Sequence, residues 1–290
     1  MIGAAVVSFL KQEEISVTRI IRPESKGHFA EDTLIWDPPT GEIETERLED
    51  HDGVIHLAGA NISAQRWSEK YKNKILESRV ESTELLSDTL RKLHQPPRVL
   101  LTASAVGFYG NHAPEEKVDE AGVAGTDFLA GVCTAWEKAA APVGHMGIRV
   151  VPLRFGVVLG KNGGALAKML PVFKMGLGGI LGDGRQVMSW IALAEIPRII
   201  LHVIESNLIG PVNCVSPQAV SNREFTEVLG KMFNRPTVFP VPGIAVKWLF
   251  GEMGETLLLG GARVLPRRLL ETGYKFQYPD LASALKAALV

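Results

Sequence analysis

A chain of 290 residues with 46% apolar and 22% charged residues can bury a large core, and it reads as an ordinary globular protein of one big α/β domain or two interleaved ones. Its 31 Lys and Arg nearly balance 32 Asp and Glu, so the formal charge of −1 supplies no long-range field to gather nucleic acid or anionic membrane. Any polyanion it holds is a small ligand bound locally.

Residues 3–12 carry the helical period, with Ala4, Val7, Phe9 and Leu10 apolar, and "ISVTRII" (15–21) predicts a strand bounded by Pro23. Three nearly continuous apolar runs follow: "DGVIHLAGA" (52–60), "PRVLLTASA" (97–105) and "IRVVPLRFGVVLG" (148–160). Strands that do not alternate are buried on both faces, the condition of a parallel sheet covered by helices. Helical patterns separate them, over 68–93 with Ile75, Leu86, Leu90 and Leu93 on one face, and over 127–141 around "FLAGVCTAWEKAA". Strand alternating with helix predicts an α/β doubly wound fold, whose ligands bind beyond the carboxyl ends of the strands. Here those ends are the small-residue edges "HLAGAN", "TASAVGFYG" and "RFGVVLG".

Beyond residue 160 the texture changes, with seven glycines before Arg185 implying turns and close backbone approach. "GPVNCVS" (210–216) predicts a strand returning to the sheet, with helices from 221 and from about 243. In the tail, Pro266 sits near a helix start, Gly273 is a C-cap, and Pro279-Asp280 starts a last amphipathic helix. The expected division is a Rossmann-like domain over 1–160, completed by the strand near 210–216, and a smaller substrate or lid region over 161–290 with a C-terminal unit at 243–290. Cys133 and Cys214 lack CxxC spacing and nearby His pairs, so they read as reduced core residues and no metal site is expected. No run approaches the ~18–20 apolar residues that span a bilayer, nor does the N-terminus read as a signal, which makes cytoplasm the default expectation.

The ordered motifs "HLAGANI…RW…SRVEST" (56–83), "TASAVGFYG" (102–110), "WEKAA" (136–140), "LRFGVVLG" (153–160), "GGILGDGRQVMSWI" (178–191) and "VLPRRLLETGYKFQYPDLASAL" (264–285) resemble the epimerase-like atypical branch of the short-chain dehydrogenase/reductase superfamily. The resemblance spans essentially the whole chain. It implies an NADP(H)-binding Rossmann domain with a small C-terminal domain, and oxidoreductase or epimerase chemistry on a small molecule such as a nucleotide sugar. In that family a strand and a GxxGxxG turn open the chain, and "MIG" matches only the last three positions. The first strand and most of the Gly-rich loop are thus missing from the pattern. Met1 reads either as an internal Met of a longer natural chain or as the start of a genuinely shortened one with a weakened cofactor site; Gly3 keeps the helix-packing role.

The resemblance further implies that Ile21 and Arg22 occupy the position that discriminates a 2′-phosphate, favouring NADP(H) over NAD, because a cation there suits phosphate where an acid suits a ribose. Leu57, Ala58 and Gly59 would let the cofactor's central region pass over backbone, Lys74 and Arg79 would face it from the next helix, and Val158 would pack at the nicotinamide end. Taken as isolated residues, Arg22, Lys74 and Arg79 read equally as solvated cations, Leu57 to Gly59 as a tight turn and Val158 as core. Asp37, near the adenine by resemblance, precedes two prolines and reads also as a turn residue.

The catalytic residues depart from the family. Its Lys lowers the Tyr pKa from about 10, and one helical turn of spacing puts the two on one face. The corresponding helix "FLAGVCTAWEKAA" has no such pair. Ser104 is a candidate hydrogen-bond donor or a strand cap, and Tyr109 a substitute acid without a cation beside it in sequence, or a wall of the substrate site. In "SWIALAEI" Ala192 and Glu195 stand where the family shows His and Asp, and Trp190 reads as core or pocket wall. Gly178, Gly179, Gly182 and Gly184 read as cleft lining or flexible linker. The missing pair leaves a second reading open, a non-enzymatic NADP(H)-responsive binding or regulatory protein.

Overall fold

The computed structural model describes residues 1–22, 32–37 and 40–289. Helix α1 (Ile2–Gln12) buries Val6 and Leu10, the same-face positions that a four-residue step predicts. It leads into β1 (Arg19–Ile21), β2 (Thr33–Asp37) and β3 (Glu42–Ile43), a small sheet with β1 parallel and β3 antiparallel to β2. Then come β4 (Gly53–His56), α2 (Glu69–Leu90), β5 (Val99–Ala105), β6 (Lys117–Val118), α3 (Phe128–Ala140), β7 (Arg149–Phe155) and β8 (Val157–Leu159). The rest is α4 (Gly164–Lys174), β9 (Val187–Met188), β10 (Trp190–Ala192), α5 (Ile196–Glu205), β11 (Val212–Cys214), β12 (Val220–Ser221), α6 (Asn222–Met232), α7 (Gly243–Phe250), α8 (Glu252–Leu258), β13 (Arg263–Val264), α9 (Arg267–Glu271) and α10 (Leu281–Leu289).

The central sheet has the order β11-β7-β5-β4, with every pair parallel. One face packs Val99, Leu101, Ala103, Val151, Leu153 and Phe155 against α1 and against Ile196, Ile199, Ile200 and Val203 of α5. The opposite face sets Val54 and Leu100 against Leu86 and Leu90 of α2, with Leu34 and Trp36 of β2 joining the same cluster. Helices on both faces explain why the strands are apolar without alternation. The parallel α/β architecture expected from the sequence is therefore present, with the return strand at β11 on one edge.

The strand expected over 15–21 is shorter and differently placed. It forms only at Arg19–Ile21, pairs with β2, and makes no ladder with β4 among the described residues. Thr18 nevertheless ties this sheet to the turn before β4 through a 3.2 Å hydrogen bond with His51. A third cluster unites α4, Trp190 of β10, Phe225 and Leu229 of α6, and Leu281 and Leu285 of α10. The punctuation of the tail lies where expected: Pro266 precedes α9, Gly273 follows it at φ +77°, and the Asp280 carboxylate accepts from the Ser283 N–H at the start of α10.

Candidate functional site

The carboxyl end of β4 runs out into Leu57, Ala58 and Gly59, and the first turn of α1 meets it there. A Cβ on Gly3 would stand 3.9 Å from the Leu57 Cδ1, and Met1 lies on the glycines after β8, its sulfur 3.1 and 2.9 Å from where Cβ atoms of Gly160 and Gly163 would be. Among the described residues no side chain caps α1, whose first turn carries the helix's partial positive charge at the sheet's edge. Leu57 and Val158 border the same apolar cluster, and Val158 is also held in ladder with Ile191.

Arg79 comes up beneath this edge rather than out from it. Its guanidinium donates to the Ala60 carbonyl at 3.1 Å and the Ile75 carbonyl at 2.9 Å, and lies 4.9 Å from the Trp136 ring. A Cβ on Gly59 would be 3.1 Å from its Cζ, so glycine is what lets the arginine brace the turn. Lys74 is exposed on the outer face of α2. Ile21 ends β1 and is half-buried, Arg22 follows it and is exposed, and Asp37 ends β2. Arg22 and Lys74 make no hydrogen bond or ion pair among the described residues. The fold thus brings Leu57, Ala58, Gly59, Arg79 and Val158 to one edge and leaves the two other cations in solvent. The residues present fit a dinucleotide: an uncapped helix start, a side-chain-free approach at Gly59 and a free cation at a strand end are what a diphosphate and a further phosphate need.

Next to this edge lies a buried polar network that the sequence alone does not reveal. Ser104, at the end of β5, donates to Glu137 Oε1 at 2.7 Å, and Arg154 of β7 binds the same carboxylate through Nε and Nη2, both at 2.8 Å. Arg154 donates through Nη1 to the Tyr109 hydroxyl at 2.9 Å and stacks on Phe108, 3.5 Å from the ring centre. The Tyr109 hydroxyl donates to Asn213 Oδ1 at 2.7 Å, and the Asn213 N–H donates to Glu120 at 3.0 Å. Burial opposes the Arg154 charge, but Glu137 and Tyr109 outweigh it and hold its pKa up. Burial likewise pushes the Tyr109 phenol up, against the pull of Arg154, and keeps it protonated.

Glu137 sits one helical turn after Cys133 on α3, beside Ser104. Burial first, then the Glu137 charge, pushes the Cys133 thiol up to about 11. No cation lies beside Tyr109 in sequence, and in space Arg154 of β7, remote in the chain, reaches its hydroxyl. That cation does not free the phenol, which burial keeps protonated and whose O–H donates to Asn213. A signal was available: an arginine inside the apolar run "VVPLRFG" demands a partner, and Glu137 at i+4 from Cys133 offered one.

The other candidates are structural. Trp190 is core, and its Nε1 has no hydrogen-bond partner among the described residues. Ala192 is buried; Glu195, also buried, accepts from the Tyr274 hydroxyl at 2.5 Å and from the N–H groups of Gln277 and Tyr278, both at 3.0 Å. Gly178 and Gly179 are neither flexible linker nor open lining: Cβ atoms there would reach 2.6 Å from the Phe173 ring and 1.7 Å from the Phe239 carbonyl oxygen. Gly182 and Gly184 have positive φ in the same packed turn. Cys133 and Cys214 are both buried, no cluster that could hold a metal occurs among the described residues, and no helix among them is long and apolar enough to cross a membrane.

Comparison with known proteins agrees with this geometry. The NAD dependent epimerase/dehydratase family matches residues 1–214, and a domain of unknown function (DUF1731) matches 241–288. An epimerase family protein of Mycobacterium bovis is 41% identical over 286 residues, covering 98% of this chain and 93% of its own length. The human epimerase family protein SDR39U1, solved with NADPH, is 34% identical, superposes with a TM-score of 0.90, and is covered over 95% of its chain and 99% of this one. A UDP-glucose 4-epimerase of Thermotoga maritima, 17% identical with a TM-score of 0.75 over 100% of this chain and 94% of its own, shares the fold alone. With a family model over most of its length and relatives of this identity end to end, the chain belongs to the NAD dependent epimerase/dehydratase family.

Proposed function

We propose that this protein binds NADP(H) along the carboxyl edge of its sheet. Ile21 and Arg22 take the adenosine 2′-phosphate; Leu57, Ala58 and Gly59 underlie the central region, with Arg79 bracing them and Lys74 lending charge from α2; Val158 lies at the nicotinamide end. The observation that carries this reading is the uncapped start of α1 meeting the side-chain-free edge at Leu57 to Gly59. The likeness to a human relative solved with NADPH supports it. Titrating the protein with NADPH and NADH by nicotinamide fluorescence tests it. Replacing Arg22 by Ala weakens NADPH by roughly 10-fold or more, the loss of a charge-assisted phosphate contact, and leaves NADH nearly unchanged. Equal losses for both would refute the role of Arg22.

The bound nicotinamide supplies hydride-transfer capacity, and an oxidoreductase or epimerase of this family acting on a small molecule must add a proton exchange. Here the helix that would carry the Tyr and Lys pair has neither at that spacing, and Arg154 holds the carboxylate of its Glu137. The Ser104 hydroxyl donates its hydrogen bond to that carboxylate and the Tyr109 hydroxyl donates its own to Asn213. This closed network favours the non-enzymatic reading: an NADP(H)-responsive binding or regulatory protein. A screen of sugar nucleotides and carbonyl compounds at saturating NADPH decides between them. Tight binding without turnover is expected; turnover that is lost in Ser104→Ala would establish an enzyme.

A further inference from the structure

Residues 243–259, the helix pair α7 and α8, are barely packed into the molecule. Among the described residues α7 buries Val246 alone and α8 buries Gly254 alone, so little apolar contact holds the pair down. Its two ends are fixed instead to one short segment, residues 180–187. On the entering side Val241 donates to the Ile180 carbonyl at 2.8 Å and accepts from the Gly182 N–H at 2.9 Å. On the leaving side the Leu258 carbonyl accepts from Gln186 Nε2 at 3.0 Å, and Gly261 crosses the Val187 carbonyl so closely that no Cβ would fit. Gly261 also holds φ +155°, a conformation that residues with a side chain rarely take. With both ends on one segment, the pair has a hinge line.

The far corner, where α7 turns into α8 at Gly251, rests on the start of α2 through polar contacts. Lys72 binds Glu252 at 2.5 Å, Arg66 Nη2 reaches the Trp248 carbonyl at 3.5 Å, and Gly251, at φ +61°, leaves room for the same guanidinium. Lys72 is 17% exposed against 46% for Glu252 and also lies over the Phe128 ring, so its end of the ion pair is the fixed one. At the base of the pair the His112 N–H donates to the Gly261 carbonyl at 3.0 Å. His112 lies in the loop that leaves β5, and α2 follows β4, so the pair reaches across the carboxyl edge of the sheet from one to the other. Little buried area, both ends on one segment and an ionic far end are what a closing flap needs.

We propose that residues 243–259 form a flap, hinged on residues 180–187 and latched to α2 by the Lys72–Glu252 ion pair, whose opening admits the dinucleotide to the sheet edge. The role as a gate rests on the cofactor reading above; the hinge and the latch do not. None of the residues proposed to hold the cofactor lies on the flap, so the latch sets how fast the ligand enters and not how tightly it is held.

Double electron–electron resonance on the full chain reads the flap without a ligand. Cys133 and Cys214 are buried, so nitroxides attach at Glu81→Cys on α2 and at Leu249→Cys near the far corner, both at exposed positions. The latched protein should give one main distance, and Glu252→Gln should raise the population at a longer one by roughly 5-fold, the loss of one partly exposed ion pair. Concentrated salt should do the same, and Lys72→Glu combined with Glu252→Lys should restore the short distance. A single distance that neither Glu252→Gln nor Lys72→Met moves would overturn the flap. Joining Lys72→Cys to Glu252→Cys with a short bis-maleimide should slow NADPH association by roughly 10-fold or more relative to the unjoined pair, with the dissociation constant unchanged. Association at the unjoined rate would overturn the gate. A protein that binds no NADPH in either form would strike the cofactor reading and the gate with it, and the distances would still decide the hinge and the latch.

Discussion

Glu137 and Arg154 form a buried ion pair that also takes up the hydroxyls of Ser104 and Tyr109. The Arg154 and Glu137 side chains are 4% and 14% exposed, so neither can be left alone in place. Glu137→Gln and Arg154→Met should each cost about 3–5 kcal/mol, because a buried charge loses its partner, while Glu137→Leu with Arg154→Met together should cost less than the two singles combined. Urea unfolding of the four proteins reads this directly, and additive losses would show the pair to be uncoupled. His56 is buried against Trp36 and Ser82, and burial lowers its pKa from 6.5 to about 4. The unfolded chain therefore takes up a proton that the folded one refuses between those values. Stability from this group is complete above pH 6.5 and is lost as pH falls towards 4, by up to ~3 kcal/mol. The wild type should lose stability across that window more steeply than His56→Gln; parallel slopes would rule His56 out. At this scale the sequence exposes residue types but not their partners. Ser104 and Tyr109 stand out as candidate chemistry, yet the contacts that close them off come from Glu137, Arg154 and Asn213, which are 33, 45 and 104 residues away.

At the scale of elements, legibility follows the length of the apolar run and the locality of its cause. Strands β4, β5 and β7 are plain because both faces are covered, and α2 and α3 because their periods are long and their starts are capped by Ser68 and Asp127. Strand β2 is not legible: "TLIWD" has only three apolar residues before two prolines, and what makes it a strand is pairing with β1 and burial of Leu34 and Trp36 under α2. Glu195 shows the same limit in reverse, since its mismatch to the family pattern is visible while its role as an anchor for residues 274–278 is not. Losing that carboxylate removes the acceptor of two N–H groups and of a phenol. Glu195→Ala should therefore cost about 3 kcal/mol or more and expose the tail to proteases at temperatures where the wild type resists, whereas Glu195→Gln retains most of the anchor. Cleavage of both variants at the wild-type rate would contradict the anchoring role.

Across the whole molecule, the proposed cofactor site draws on two structural bodies. Strand β4 of the four-stranded sheet leads into Leu57 to Gly59, whereas the small sheet of β1, β2 and β3 leads into Ile21 and Arg22 and is joined to the first through the shared cluster of Leu34, Trp36, Val54 and Leu100 and the His51 to Thr18 hydrogen bond. Their unequal burial predicts unequal opening. Six of the seven residues of β5 are buried, so its amides should exchange only on global unfolding, while those of β1, which is exposed or half-buried throughout, should exchange by local opening. A dinucleotide spanning both bodies must order the weaker one. Saturating NADPH should therefore slow exchange most at residues 1–5, 19–22 and 57–60, leave β5 at its global limit, and leave α7 unchanged at constant protein concentration. Protection at β5 and α7 with none at residues 19–22 would mean that the ligand stabilises the molecule without bridging its two sheets, and the adenosine phosphate would then have to be held elsewhere.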